Sequence, residues 1–355
     1  MRMIEAVMRW GSPAIWRANN KFYAALFAYL LVALPVAIYW RIPIDVRLYN
    51  EGFWVFGFAV AVILFSWISI RVMLGRQDNV FSAIKEKLLE NELAERIIKG
   101  LPVMLVLPVF FSIFTSMKDG INRIVPFYAD KAIMEIDRSL HGGFDAWQIL
   151  PQIFEIGAVT FVLNFFYNLW FVIMFVVLFC VTFSAGSERL RSQYLVAFVL
   201  TWGLLGNLAA TVFSSVGPAF VLPFYGDRTF SPLMEYLNAT NAVYPIWALY
   251  AQGMLLANAA LDGPRMGSGI SAFPSLHVAI ATLNAVYLWR FGGLVRWTGV
   301  VFLIATQIGS VQLAWHYGID GYASMLATPI IWVVAGRIAA AGGSRASDIV
   351  QVESR

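Results

Sequence analysis

Apolar residues in this chain gather into long runs separated by short polar stretches. The runs cover residues 22–40, 53–70, 101–117, 157–184, 194–216, 278–294, 297–315 and 318–336. A helix needs roughly 20 apolar residues to cross a bilayer, and most of these runs approach that length. The pattern predicts an all-α polytopic membrane protein with about eight transmembrane helices. Residues 80–99 break it: Val80, Ile84, Leu88, Leu93 and Ile97 interleave with eight charged side chains. That spacing fits an amphipathic helix on the inner membrane surface, and equally a solvated connector. The stretch 243–260 is apolar but interrupted by Gln252 and Asn258. It reads as re-entrant or interfacial, because a crossing there would leave the two chain ends on opposite sides.

Composition supports the membrane assignment. Hydrophobic residues make up 60% and charged residues 13%, against about half and a quarter in soluble domains. No small-residue cleavage site follows the first run, so it reads as an uncleaved anchor behind a basic segment holding Arg2, Arg9, Arg17 and Lys21. The single cysteine, Cys180, excludes a disulfide framework and a thiolate metal site. No basic stripe or RNA-binding aromatic motif appears, so nucleic acid is not an expected partner. With the N-terminus inside, the predicted cytoplasmic segments hold 17 Lys and Arg residues and the outer ones 8. That obeys the positive-inside rule. It also puts residues 118–152 and 217–275 outside.

Two of the three histidines then meet at one membrane face. Phe-Pro-Ser-Leu-His ends at His277, and His-Tyr-Gly-Ile-Asp begins at His316. Two crossings between them carry the chain over and back. Asp320, four residues after His316, shares its helical face and can accept a proton from the imidazole. Two imidazoles and a carboxylate suggest a nucleophile, its orienting group and a separate acid–base group. A lone histidine at a helix end is usually structural, but a pair with a carboxylate at helical spacing is harder to dismiss. A transporter is disfavoured, since mid-span regions are nearly free of charge.

These two motifs, some 40 residues apart, resemble the type-2 phosphatidic acid phosphatase superfamily. The closer likeness is to its inositolphosphotransferase branch, which includes inositol phosphorylceramide synthases. Ser-Ser-Val-Gly-Pro (214–218) and Leu-His-Gly-Gly-Phe-Asp-Ala-Trp (140–147) resemble two further landmarks of that branch. The resemblance implies a six-helix catalytic domain over 101–337. Before it come two extra helices (1–79) and the amphipathic segment (80–100), and after it a cytoplasmic tail (338–355).

The resemblance also implies roles. His316 would attack phosphorus and carry it, Asp320 would fix its tautomer, and His277 would serve as acid and then base. The partners would be membrane lipids, a phospholipid donor and a lipid hydroxyl acceptor, with no cofactor and no metal. The site would lie at the extracytoplasmic face, in a bacterial inner membrane. The function expected is transfer of a phospho-headgroup, plausibly phosphoinositol; the alternative is a lipid phosphate phosphatase with water as acceptor. Two departures from the phosphatase pattern favour the transferase branch. Ser310 stands where that pattern has an arginine six residues before the second histidine. Lys118, Arg123 and Pro126 do not match the spacing of its first motif. Phosphate still needs cations, and Lys118, Arg138 and Arg265 are the outward candidates. Ser275 could supply phosphate a donor. His141 is a weaker candidate that could simply cap a surface helix.

Overall fold

The computed structural model describes residues 13–52, 91–184 and 186–341. Among these the chain is helical, with no strand. In chain order the main helices are α1 (Pro13–Tyr39), α2 (Asn91–Asp119), α3 (Asp130–Leu140) and α4 (Gly157–Thr182). They continue with α5 (Glu188–Val212), α6 (Ser231–Asn241), α7 (Trp247–Ala259), α8 (Leu276–Trp289), α9 (Gly293–Gln312) and α10 (Gly318–Ala340). Six of them, α1, α2, α4, α5, α9 and α10, are long and apolar enough to cross a membrane. The chain is an integral membrane protein.

The packing shows what solvent the outside expects. Leu31, Val32, Ile38, Val301, Leu326 and Ile330 point outward and are more than half exposed. The interior, by contrast, holds polar contacts such as Tyr194 Oη to Asn284 Oδ1 at 2.7 Å and Gln193 Nε2 to the Trp332 carbonyl at 2.9 Å. Helices that are apolar outside and joined by hydrogen bonds inside suit lipid rather than water. At the centre runs α8, packed against α4, α5, α9 and α10. Its Val278, Ala279, Ile280, Ala281 and Leu283 are fully buried.

Several boundaries differ from the sequence pattern. The expected span 278–294 is a 14-residue helix, about 21 Å long at 1.5 Å per residue. It is shorter than the hydrocarbon core and, being enclosed by other helices, need not match it. Residues 91–99 do not form a separate surface helix: α2 runs through them and on past Pro102 and Pro108. The Lys99 carbonyl in this stretch accepts from Asn19 Nδ2 at 2.9 Å and Arg191 Nη2 at 3.3 Å. Neighbouring side chains thus satisfy backbone groups near a proline. Glu188, Arg189 and Arg191, in the polar gap between the runs 157–184 and 194–216, form the first turn of α5, capped by Ser187. Helix α9 ends at Gln312 because Ala314 takes a left-handed backbone, φ 58°. Helix α7, within 243–260, has 13 residues and is too short to cross. The expected run 53–70 and residues 80–90 lie outside the described residues.

Candidate active site

His316 stands just before α10, in the loop that α9 hands over. Its Nδ1 lies 3.1 Å from Asp320 Oδ2. The same oxygen accepts the Tyr317 backbone N–H at 3.1 Å. An ionised carboxylate only accepts, so Nδ1 carries the proton and the Nε2 lone pair is free. His316 lines a cavity of about 320 Å³, whereas Asp320 is wholly buried behind it.

His277 reaches the same cavity from the first turn of α8. The two imidazole centroids are 6.5 Å apart, close enough to serve one reacting centre. Rings, rather than hydrogen bonds, hold His277. Tyr167 stacks on it at 4.8 Å and 18°, and Trp170 lies 4.2 Å away. Trp170 Nε1 also donates to the His277 carbonyl at 2.8 Å. The turn before it is anchored to the other motif: the Ser275 N–H donates to the Asp320 carbonyl at 3.1 Å.

Two buried carboxylates on α3 clamp the His316 segment. Asp130 accepts from the N–H groups of Val216 and Gly217, from Tyr225 Oη and from Tyr317 Oη, all within 3.1 Å. Burial and the Asp130 carboxylate push the Tyr317 phenol far above its usual range. Seven residues on, two helical turns away, Asp137 accepts the Ile319 N–H at 2.8 Å. Burial pushes the Asp137 carboxyl above the usual carboxylate range. The 214–219 stretch ties these segments together: Ala219 N–H donates to the Ala314 carbonyl, and Ser215 accepts from both Ala272 and Phe273. Gly217 (φ 87°) is required here, since a Cβ would lie 2.8 Å from the Trp315 carbonyl oxygen.

The other expected site residues divide. Lys118, at the end of α2, lines the cavity, and among the described lining residues it is the one Lys or Arg. Gly269 (φ 93°) lets the 268–271 loop cross over it, with a Cβ position 2.8 Å from the Lys118 carbonyl carbon. Arg138 is not on the cavity; its guanidinium grips Asp145, with Nε to Oδ1 at 2.7 Å and Nη2 to Oδ2 at 3.1 Å. Arg265 is exposed beside the rim, where its Nη1 meets the Gly263 carbonyl at 3.4 Å. Ser275 Oγ caps α8 through the Val278 N–H. His141 stands at the C-cap of α3, with Nδ1 2.7 Å from the Asp137 carbonyl and Nε2 3.0 Å from Tyr322 Oη. The sequence reading did not single out Asp130, Asp137, Tyr167 or Trp315. Tyr167 Oη and Trp315 Nε1 belong to cavity-lining residues, yet both are buried without a hydrogen-bond partner among the described residues.

A sequence profile described as PAP2 superfamily matches residues 131–334, more than half of the chain. The chain belongs to the PAP2 superfamily. Its activity is therefore of the lipid phosphatase or phosphotransferase type. No curated protein and no solved structure matches the chain. The match contains His277, His316, Asp320 and Asp137, whereas Lys118 precedes it and Asp130 lies one residue before its start. Within this superfamily member, Ser310 is fully buried and donates to the Gln307 carbonyl, while its own carbonyl accepts the His316 N–H. The residue standing in place of the arginine thus serves the backbone, and Lys118 is left as the cavity's cation. Among the described residues no cluster of His, Cys, Asp and Glu is arranged to hold a metal.

Proposed function

We propose that the chain transfers a phospho-headgroup, phosphoinositol, from a phospholipid to a lipid-linked hydroxyl through a phosphohistidine. The carrying observation is His316, oriented by Asp320 at 3.1 Å, sharing one cavity with His277 and Lys118. In the first step His316 Nε2 attacks phosphorus and the bond to the diacylglycerol oxygen breaks. Protonated His277 gives its proton to that oxygen, and diacylglycerol leaves. In the second step His277 takes the proton of the acceptor hydroxyl, whose oxygen attacks phosphorus while the P–N bond breaks. Asp320 stabilises the imidazolium of His316 as charge develops. Lys118 offsets the phosphate charge, and the unpartnered Tyr167 Oη and Trp315 Nε1 are donors available to its oxygens.

The cavity's size and walls favour transfer over hydrolysis. About 320 Å³ admits a headgroup, leaving acyl chains in the bilayer. Phe114, Trp170, Phe171, Trp202, Phe220 and Trp315 line it, an environment poor in water. The basic-residue asymmetry of 17 to 8 supports an extracytoplasmic site, as in a bacterial inner membrane. The test is an assay in detergent with phosphatidylinositol labelled in the headgroup, with and without a lipid alcohol. The reading requires label in a new lipid only when the alcohol is present. Label appearing solely as inositol phosphate, whatever acceptor is added, would instead make the chain a hydrolase.

A further inference from the structure

The far end of the bundle holds a second polar concavity of about 190 Å³, between the start of α2, the end of α4 and the first turn of α5. It is a full span from the catalytic cavity, since α2 carries Lys118 at one end and Glu95, Arg96 and Lys99 at the other. Arg191 forms its floor and is 3% exposed. Its Nε donates to the Thr182 carbonyl at 2.9 Å and its Nη2 to Asn19 Oδ1 at 2.9 Å. Among the described residues Nη1 has no hydrogen-bond partner, and the Glu188 carboxylate stands off at 3.9 Å. Thr182 Oγ1, in a residue only 1% exposed, also lacks a hydrogen-bond partner among the described residues. Buried donors of this kind ordinarily find acceptors, most of all charged ones.

The charges lining the concavity narrow what is missing. Among the described lining residues, Lys99 Nζ pairs with Glu188 Oε1 at 2.8 Å while Arg191 Nη1 lies 3.9 Å from Glu188 Oε2, so one carboxylate stands between two cations. That balance suits a singly charged anion with several acceptor oxygens. The concavity lies at the ends of three helices long and apolar enough to cross a membrane, where lipid headgroups would stand. We infer that it binds the phosphodiester of an anionic phospholipid in the leaflet opposite the catalytic cavity. Arg191 Nη1 and Thr182 Oγ1 donate to the phosphate oxygens, Lys99 supplies charge at the rim, and Glu188 opposes binding.

The test uses the full-length protein in neutral detergent. Its thermal unfolding is followed against phosphatidylglycerol, phosphatidylcholine and inorganic phosphate, each added separately. Phosphatidylglycerol should raise the melting temperature at lower concentration than phosphatidylcholine. Thr182→Val, nearly the same shape, should raise the half-saturating concentration roughly tenfold, as expected for a hydrogen bond to a charged group. Glu188→Gln should lower it a few-fold, a gain that misfolding cannot mimic. Phospholipid also meets the catalytic cavity, so only a shift that moves with these two variants counts. Half-saturation unmoved by either variant, or moved the same way by both, overturns the inference. Inorganic phosphate reproducing the variant-dependent shift overturns the lipid as the source.

Discussion

The two histidine segments are held by different physics. His316 sits in a lattice of hydrogen bonds: Asp320 on its ring, Asp130 on the Tyr317 hydroxyl next to it, and Asp137 on the Ile319 N–H three residues on. His277 is gripped by aromatic faces, and among the described residues none hydrogen-bonds its ring. A nucleophile must present one nitrogen in one tautomer, and directional bonds impose that. A group that gives up a proton and takes one back on the same nitrogen must stay free to change state. Stacking fixes its plane without choosing its protonation. The contrast teaches which histidine does which task, and it makes each separately breakable.

The largest effect belongs to the nucleophile's side. His316→Ala should lower headgroup transfer by at least about 10⁴-fold, and Asp320→Asn by about 10³- to 10⁴-fold with the fold retained. Steady-state transfer assays together with melting curves measure both. Next comes the charge. Lys118→Gln should cost roughly 10²-fold in kcat, the scale of losing one preorganised group facing developing charge. Arg138→Gln, whose partner is Asp145 and not the cavity, should change kcat by less than about threefold. Equal losses at Lys118 and Arg138 would mean that phosphate is held outside the cavity described.

The clamp should show smaller effects, divided between stability and rate. Tyr317→Phe removes one hydrogen bond to a buried carboxylate and should destabilise by about 1.5–3 kcal/mol. Its kcat should fall while KM stays fixed, because the segment is loosened and the cavity lining is not. The smallest effect is expected at Tyr167. Tyr167→Phe keeps the stack on His277 and deletes a hydroxyl without a protein partner. Stability should hold or rise slightly, with KM up only a few-fold. A fall in stability at Tyr167→Phe would show that the hydroxyl is already satisfied.

Much of this architecture is legible in the chain. Apolar runs predict the spans, and two crossings between His277 and His316 predict their proximity. The i,i+4 spacing predicts the contact with Asp320. What is not legible depends on partners distant in sequence. Asp130 looks like any loop carboxylate until Gly217 and Tyr317, 87 and 187 residues away, fold onto it. Arg138 looks like a phosphate cation because its pairing with Asp145 depends on how the chain turns after α3. The apolar run begins at 101, ten residues after α2 does, because Gly100 and Pro102 are helix-breaking signals in water, whereas neighbouring side chains support the backbone here. Length alone hid the brevity of α8, since apolar residues continue past Arg290 into the next turn.

The central claim is that His316 carries phosphorus while His277 handles protons, and one trapping experiment tests it. Headgroup-labelled donor, mixed with enzyme in the absence of acceptor and quenched in base, should leave label on the protein as an acid-labile, base-stable phosphoramidate at His316. The adduct should be absent in His316→Ala. In His277→Ala, supplied with a donor whose leaving group needs no proton, it should form and then persist when acceptor alcohol is added. No adduct in the wild type under these conditions, or label retained at another residue in His316→Ala, would contradict the account.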